Sequence, residues 1–224
     1  MAAPLAALGL AVLGLGFTAS PLFGVRSVIV RGNDHLGREE VIREADLDSS
    51  ANVYWFRAGT AERLLRGNPW VASATVTGVL PHTVRIRLRE RRPVSRVQVG
   101  SMWLLVAGDG TVLGPGGKHR PLPVLPAAGR LAVGRGDPNV AAAARVAGRM
   151  SPWLRSRISA VLPQGDGDIV LELAGGGRVL FGPAEELDAK DRALAGILRW
   201  AAWRRHSLEY VDLRAPLAPA ARLG

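Results

Sequence analysis

The stretch VASATVTGVLPHTVRIRLR, Val71 to Arg89, decides the fold. In its second half Val84, Ile86 and Leu88 alternate with Arg85, Arg87 and Arg89, and a strict period of two marks a strand with one buried face. The first half alternates as well, with Ala72, Ala74 and Val76 on one side and Ser73, Thr75 and Thr77 on the other. Gly78 to His82 supply the turn, so the stretch predicts an antiparallel hairpin.

The residues before it complete a small α+β unit. Val25 to Arg31 is a β-branched run that ends at Gly32-Asn33, a turn signal. Arg38 to Leu47 sets Val41, Ile42 and Ala45 on one helical face, with Gly37 as cap and Glu39 and Glu40 in the first turn, where the helix dipole favours acids. A second short helix from near Thr60 carries Ala61, Leu64 and Leu65 inward and is stopped by Gly67-Asn68-Pro69. Trp70, beside Pro69, reads as a plug of the core. The order is β-α-α-β-β.

Ahead of this unit, Met1 to Val25 contains no ionisable side chain, and Leu5 to Phe23 is almost wholly apolar. About 20 such residues in a helix span about 30 Å, the hydrocarbon thickness of a bilayer. The expectation is a single transmembrane helix over residues 1–24. The rival is a cleaved leader, which needs a basic leading region that the segment does not have. Nothing basic precedes the segment while Arg26 and Arg31 follow it, so the positive-inside rule taken literally places the bulk inside the cell. Long domains, however, translocate largely regardless of charge.

Composition bounds the rest. The 224 residues include 29 Lys+Arg and 19 Asp+Glu, a net charge of +10, with 48% hydrophobic residues and no Cys. The absence of Cys excludes disulfide scaffolds, thiol catalysis and thiolate zinc sites. The charge is nearly all Arg, since Lys118 and Lys190 are the only lysines. It is spread over both halves, so neither is a specialised charged arm.

Beyond Arg92-Pro93 the pattern changes to one rich in strands. Asp109-Gly110 joins Met102–Val106 to Thr111–Leu113 as a hairpin. Leu122 to Leu125 follow, and then Asp137-Pro138 caps a helix carrying Val140, Ala144, Ala147 and Leu154. Strands are expected at Ile158–Leu162, Asp168–Leu173 and Arg178–Phe181. A helix is expected over Leu187–Trp203, with Lys190 ahead of it, and a last strand over Leu208–Arg214.

Several fragments in a fixed order carry a resemblance. Phe23-Gly24-Val25-Arg26-Ser27-Val28-Ile29-Val30-Arg31-Gly32-Asn33 comes first, then Asn68-Pro69-Trp70-Val71-Ala72-Ser73-Ala74-Thr75-Val76. Leu80-Pro81-His82-Thr83-Val84-Arg85-Ile86 and Glu90-Arg91-Arg92-Pro93-Val94 follow. With the apolar segment at the front and Tyr210-Val211-Asp212-Leu213-Arg214 near the end, the chain resembles the FtsQ/DivIB family of bacterial cell-division proteins. The resemblance implies an anchor (1–24), a POTRA-like domain (25–92), a β-rich domain with an antiparallel sheet and two flanking helices (93–214), and a C-terminal tail (215–224). It also implies a cytoplasmic tail ahead of the anchor, whereas these residues start at the apolar segment itself.

No reaction chemistry is legible. His35, His82, His119 and His206 stand singly, and no nucleophile elbow, phosphate loop or metal-binding helix motif occurs. Asp166 and Asp168 read as turn residues, as do Asp109 and the glycines 175 to 177. Trp200 and Trp203 lie among Arg199, Arg204 and Arg205, where nucleic-acid stacking is conceivable. Packing of an amphipathic helix with Leu194, Ile197, Leu198 and Ala201 explains them more simply. Arg85, Arg87 and Arg89 read as a solvated strand face, with contact to anionic headgroups as the alternative.

The expectation is therefore a non-enzymatic protein with no cofactor, metal, nucleic acid or small-molecule substrate. Its recognition surface would be a strand edge. The resemblance implies FtsB- and FtsL-like partners bound by Tyr210, Val211, Asp212, Leu213 and Arg214. It also implies a single-pass type II membrane protein, mostly outside the cytoplasm, that localises septal peptidoglycan synthesis. Pro216 and Pro219 lack the N–H that a ladder needs, so no further strand is expected beyond Arg214. Two alternatives remain: a POTRA-type polypeptide-binding module of a secretion system, and a basic membrane protein that binds anionic polymers.

Overall fold

The computed structural model describes residues 18, 21–47, 52–116, 122–126, 131–135, 138–165 and 167–224. They form two compact units that divide between Glu90 and Arg91. Residues 1–17, which carry most of the expected anchor, lie outside the described residues, as do Asp137 and Asp166. Among the described residues no helix is long and apolar enough to cross a membrane.

The first unit follows the order read from the sequence. Strand β1 (Ser27–Arg31) is followed by helices α1 (Arg38–Glu44) and α2 (Ala58–Gly67), then by strands β2 (Val71–Val79) and β3 (Thr83–Glu90). The sheet order is β1-β3-β2. The hairpin β2–β3 is antiparallel, whereas β1 lies parallel to β3, an arrangement that requires the helical crossover between them. Val84, Ile86 and Leu88 point into the core and meet Val41, Ala61 and Leu65 from the helices.

Three expectations fail in detail. Leu64 is exposed, because turning Ala61 and Leu65 inward carries it past the core face. The register of β2 shifts between Val71 and Ser73, so Val71 is buried and Ala72 only half-buried, against the simple alternation. Trp70 is half-buried at the rim of the core, where it stacks on His35 with ring centroids 3.5 Å apart. The turn after β1 works as expected: Gly32 adopts φ +83°, and a Cβ there would run into the Leu88 carbonyl. The Glu90 carboxylate then accepts the N–H groups of His35 (2.7 Å) and Leu36 (3.0 Å), tying this turn to the end of β3.

The second unit opens with strands β4 (Pro93–Val99), β5 (Met102–Ala107), β6 (Val112–Pro115) and β7 (Val124–Leu125). Helices α3 (Pro138–Arg149) and α4 (Pro152–Arg155) lead to β8 (Ile158–Pro163), β9 (Ile169–Leu173) and β10 (Arg178–Gly182). Helix α5 (Leu187–Arg204) then precedes β11 (Leu208–Asp212) and β12 (Ala220–Leu223). All nine strands form one sheet in the order β12-β11-β10-β9-β8-β7-β4-β5-β6.

The sheet is mixed rather than antiparallel. β4–β7, β7–β8 and β10–β11 are parallel pairs. The second and third of these follow from α3 with α4, and from α5, carrying the chain back across the sheet before each return strand. Between β5 and β6 the expected Asp109-Gly110 turn forms, with Gly110 at φ +86°. Partial burial pushes the Asp109 carboxyl up, but hydrogen bonds from Arg91 and Thr111 outweigh this and hold it below its ordinary value.

Helix α3 buries Val140, Ala143, Ala144 and Ala147, while α5 buries Leu194, Ala195 and Ala201. Trp200 and Trp203 do not join that stripe: they are 45% and 75% exposed. Arg204 stacks on the Trp203 ring at 4.8 Å, and Trp200 lies near His206. Lys190 lies inside the first turns of α5 and not ahead of it, and it is buried. Its Nζ donates to the Pro183 carbonyl at 2.9 Å and sits 5.0 Å from the centroid of the Phe181 ring. Burial lowers its pKa, against the opposing pull of Glu186, Glu185 and Asp168.

Candidate functional site

The recognition site expected at the last strand is built by β10, α5, β11 and β12. Helix α5 returns the chain beside β10, so that Arg178, Val179 and Leu180 pair in parallel with Tyr210, Val211 and Asp212. The chain then turns through residues 213–219. The Leu213 N–H donates to the Leu180 carbonyl (2.8 Å), and the Ala218 N–H donates to Ala215 (3.1 Å). Asp212 clamps the turn by accepting the Arg214 backbone N–H at 3.0 Å and its guanidinium at 2.6 Å. Those bonds, the side-chain one foremost, hold the Asp212 carboxyl below the usual aspartate range.

Strand β12 follows, and it overturns the expectation of an edge at Tyr210–Arg214. Leu208, Tyr210, Val211 and Asp212 pair antiparallel with Leu223, Arg222, Ala221 and Ala220, so β11 is an interior strand flanked on both sides. The prolines do not prevent this, because each costs only its own N–H. Pro216 falls within the turn and Pro219 immediately before the first paired residue. A cross-strand ion pair, Arg222 to Glu209 at 3.1 Å, and the Ser207 hydroxyl donating to the Gly224 carbonyl at 3.1 Å secure the new strand.

The five expected residues therefore divide. Val211 and Leu213 are fully buried and belong to the core, Tyr210 and Asp212 are half-buried, and Arg214 is exposed. The backbone edge belongs instead to Ala220, Ala221, Arg222 and Leu223, all exposed. Among the described residues no strand lies outside β12. The sequence reading missed these four because a run of Ala-Ala-Arg-Leu carries neither alternation nor β-branched residues.

The opposite end of the sheet is closed. Three of the four residues of β6 are buried. Residues 131–135, past β7, cover the start of β6, with the Gly134 N–H donating to the Val112 carbonyl (2.8 Å) and the Val112 N–H donating to the Arg135 carbonyl (3.4 Å). Among the described residues no group of His, Cys, Asp or Glu is placed to hold a metal ion.

Fold and edge together define a two-unit α+β protein whose larger unit ends in an open antiparallel strand. Residues 23–91 match the family model of the FtsQ-type POTRA domain, and residues 95–214 match that of the C-terminal region of cell division protein FtsQ/DivIB. The cell division protein FtsQ of Streptomyces coelicolor is 30% identical over 224 residues, covering 93% of this chain and 83% of the relative. That of Koribacter versatilis is 34% identical over 87 residues, and this chain spans 25% of its length. A solved structure of the major extracytoplasmic domain of DivIB from Geobacillus stearothermophilus aligns with a TM-score of 0.38 at 15% identity, over 52% of this chain and 96% of that one. The chain belongs to the FtsQ/DivIB family of cell-division proteins.

Proposed function

We propose that this chain is a non-catalytic scaffold of the division machinery that captures a companion division protein on the outer edge of β12. The single observation that carries the reading is that edge: four exposed residues, paired on one side only, closing a sheet whose other end is covered. Such an edge supplies main-chain hydrogen bonds to an incoming strand and therefore a binding mode that needs no reactive side chain. Tyr210, Val211, Asp212, Leu213 and Arg214 take part as the strand and turn that hold β12 in register. The partner is a membrane division protein of the FtsB and FtsL kind. Residues 1–24 anchor the chain as a single-pass type II protein at the septum. The POTRA-like unit (25–92) follows the anchor, and the β-rich unit (93–214) with its tail (215–224) presents the edge outside the cytoplasm. Septal peptidoglycan synthesis is localised through that recruitment. The FtsQ-type family match favours this reading over a secretion module or a binder of anionic polymers.

The test measures the affinity of the full chain for the partner pair in Ala221→Pro and Arg222→Pro variants. Neighbouring N–H groups of a strand point to opposite sides, so one of the two substitutions removes an outward donor. Loss of that bond is expected to weaken binding about tenfold, the effect of roughly 1.4 kcal/mol. Unchanged affinity in both variants would overturn the assignment. Binding that dissolves in moderate salt would favour the anionic-polymer reading instead.

A further inference from the structure

The first unit has an exposed aromatic patch where the chain enters it. Pro21–Phe23 form a single 3-10 turn. The Val53 N–H donates to the Phe23 carbonyl at 2.8 Å, and Gly24 bridges Asn52 in antiparallel fashion. The Asn52 side-chain amide donates to the Thr18 carbonyl at 2.9 Å. Tyr54 stands edge-on to Phe23, with ring centroids 5.0 Å apart. Phe23 and Val53 are buried by this arrangement, yet Leu22, Tyr54 and Trp55 are 62%, 46% and 58% exposed. Large apolar side chains clustered at a surface mark contact with another protein or a membrane. Arg26 and Arg57 are exposed nearby in the chain, and no carboxylate occurs from Thr18 to Asn33 or from Asn52 to Ala61.

We propose that Leu22, Tyr54 and Trp55 form a membrane-interface seat, lying in the headgroup layer of the bilayer that the apolar segment 5–23 enters. The inference rests on the anchored reading above. What identifies the occupant is the chain itself: the apolar segment ends at Phe23, and Phe23 is the residue that Val53 and Tyr54 grip. The headgroup layer on each side of a bilayer is about 5–7 Å thick. Tyr54, with its ring centred 5.0 Å from that of Phe23, stands beside the residue at which the apolar segment ends. Tyr and Trp concentrate at this depth because each has an apolar body and one polar tip. Arg26 and Arg57 complement anionic headgroups there. The seat fixes which side of the first unit meets the lipid, because backbone hydrogen bonds bind the segment 52–54 to the end of the anchor.

The full chain, reconstituted in phosphatidylcholine and phosphatidylglycerol vesicles, tests this through tryptophan fluorescence. Lipids brominated near the top of the acyl chain should quench part of the wild-type emission. Trp55→Phe should abolish that quenched component, and Tyr54→Ser should weaken it. Vesicle flotation after an alkaline wash separates the two possible failures. A chain that does not float removes the anchor and the seat together. A chain that floats while Trp55→Phe is quenched as strongly as wild type removes the seat alone, and the same holds if a Trp200→Phe, Trp203→Phe double variant is the one that loses the signal.

Discussion

The two sheets treat their edges differently. In the three-stranded sheet a charged side chain from a helix occupies a backbone group of each outer strand. Arg38 donates to the Val28 carbonyl of β1 at 2.8 Å, and Glu62 accepts the Val76 N–H of β2 at 3.0 Å. In the nine-stranded sheet β6 is buried and loop-covered, while β12 is exposed throughout. Unpaired strand edges invite association, and folded proteins block those they do not use. Each of the other three edges has at least one outward backbone group taken by a side chain or loop, and β12 is the most open of the four among the described residues, which its composition alone does not reveal.

That contrast breaks most visibly if the backing of β12 is removed. Leu213 is fully buried where the chain leaves β11. Leu213→Ala is expected to cost about 2–5 kcal/mol, the usual range for a core leucine that leaves a cavity. Chemical denaturation should register this in the second unit, and partner binding should fall with it. Glu62→Ala acts on the other side of the comparison. It leaves the Val76 N–H without its acceptor at a half-buried site, at a cost of about 1–3 kcal/mol. Amide exchange at Val76 should quicken, and concentration-dependent self-association should appear as the β2 edge opens. A Glu62→Ala protein that stays monomeric with unchanged exchange would show that Glu62 does not guard that edge.

The degree to which these features were legible in the sequence follows from their chemistry. The β-α-α-β-β unit was readable because its strand β3 alternates Val84, Ile86 and Leu88 with arginines and its turns carry Gly32 and Asn68-Pro69. Trp200 and Trp203 are exposed against the expectation because helical spacing gives the angular position of a side chain, not how far the neighbouring layer extends to cover it. The parallel pairing of β10 with β11 is implicit in the long helix between them, which returns the chain to the same end of the sheet. The burial of Lys190 has no signal in the sequence, because a lysine read from sequence is a surface residue by default. The β12 edge was the least readable part. Strand β12 is held by pairing with β11, by the Arg222–Glu209 ion pair and by the Asp212–Arg214 clamp. The pairing and the ion pair exist only after the chain has turned back through two prolines, and the clamp shapes the start of that turn.

The clamp gives the smallest and most specific test of the contrast, because it sits in the turn that leads into the β12 edge. Asp212 has a folded-state pKa below its ordinary value, through hydrogen bonds from the Arg214 side chain and backbone. A depressed carboxylate contributes stability that is fully present above the unfolded-state value of about 4 and is lost as pH falls through the lower folded-state value. The pair is partly exposed, with 22% of the Asp212 side chain and 57% of the Arg214 side chain accessible, so solvent screens it and the global effect is small. Local exchange is the sharper readout. Between neutral pH and the acid side of that window, protection of the amides in 220–223 should decline ahead of protection in β9 and β10. Asp212→Asn should remove the difference by abolishing the titration. Equal decline across all of these strands would mean that the turn does not hold the edge in place, and that β12 is fixed by its pairing with β11 alone.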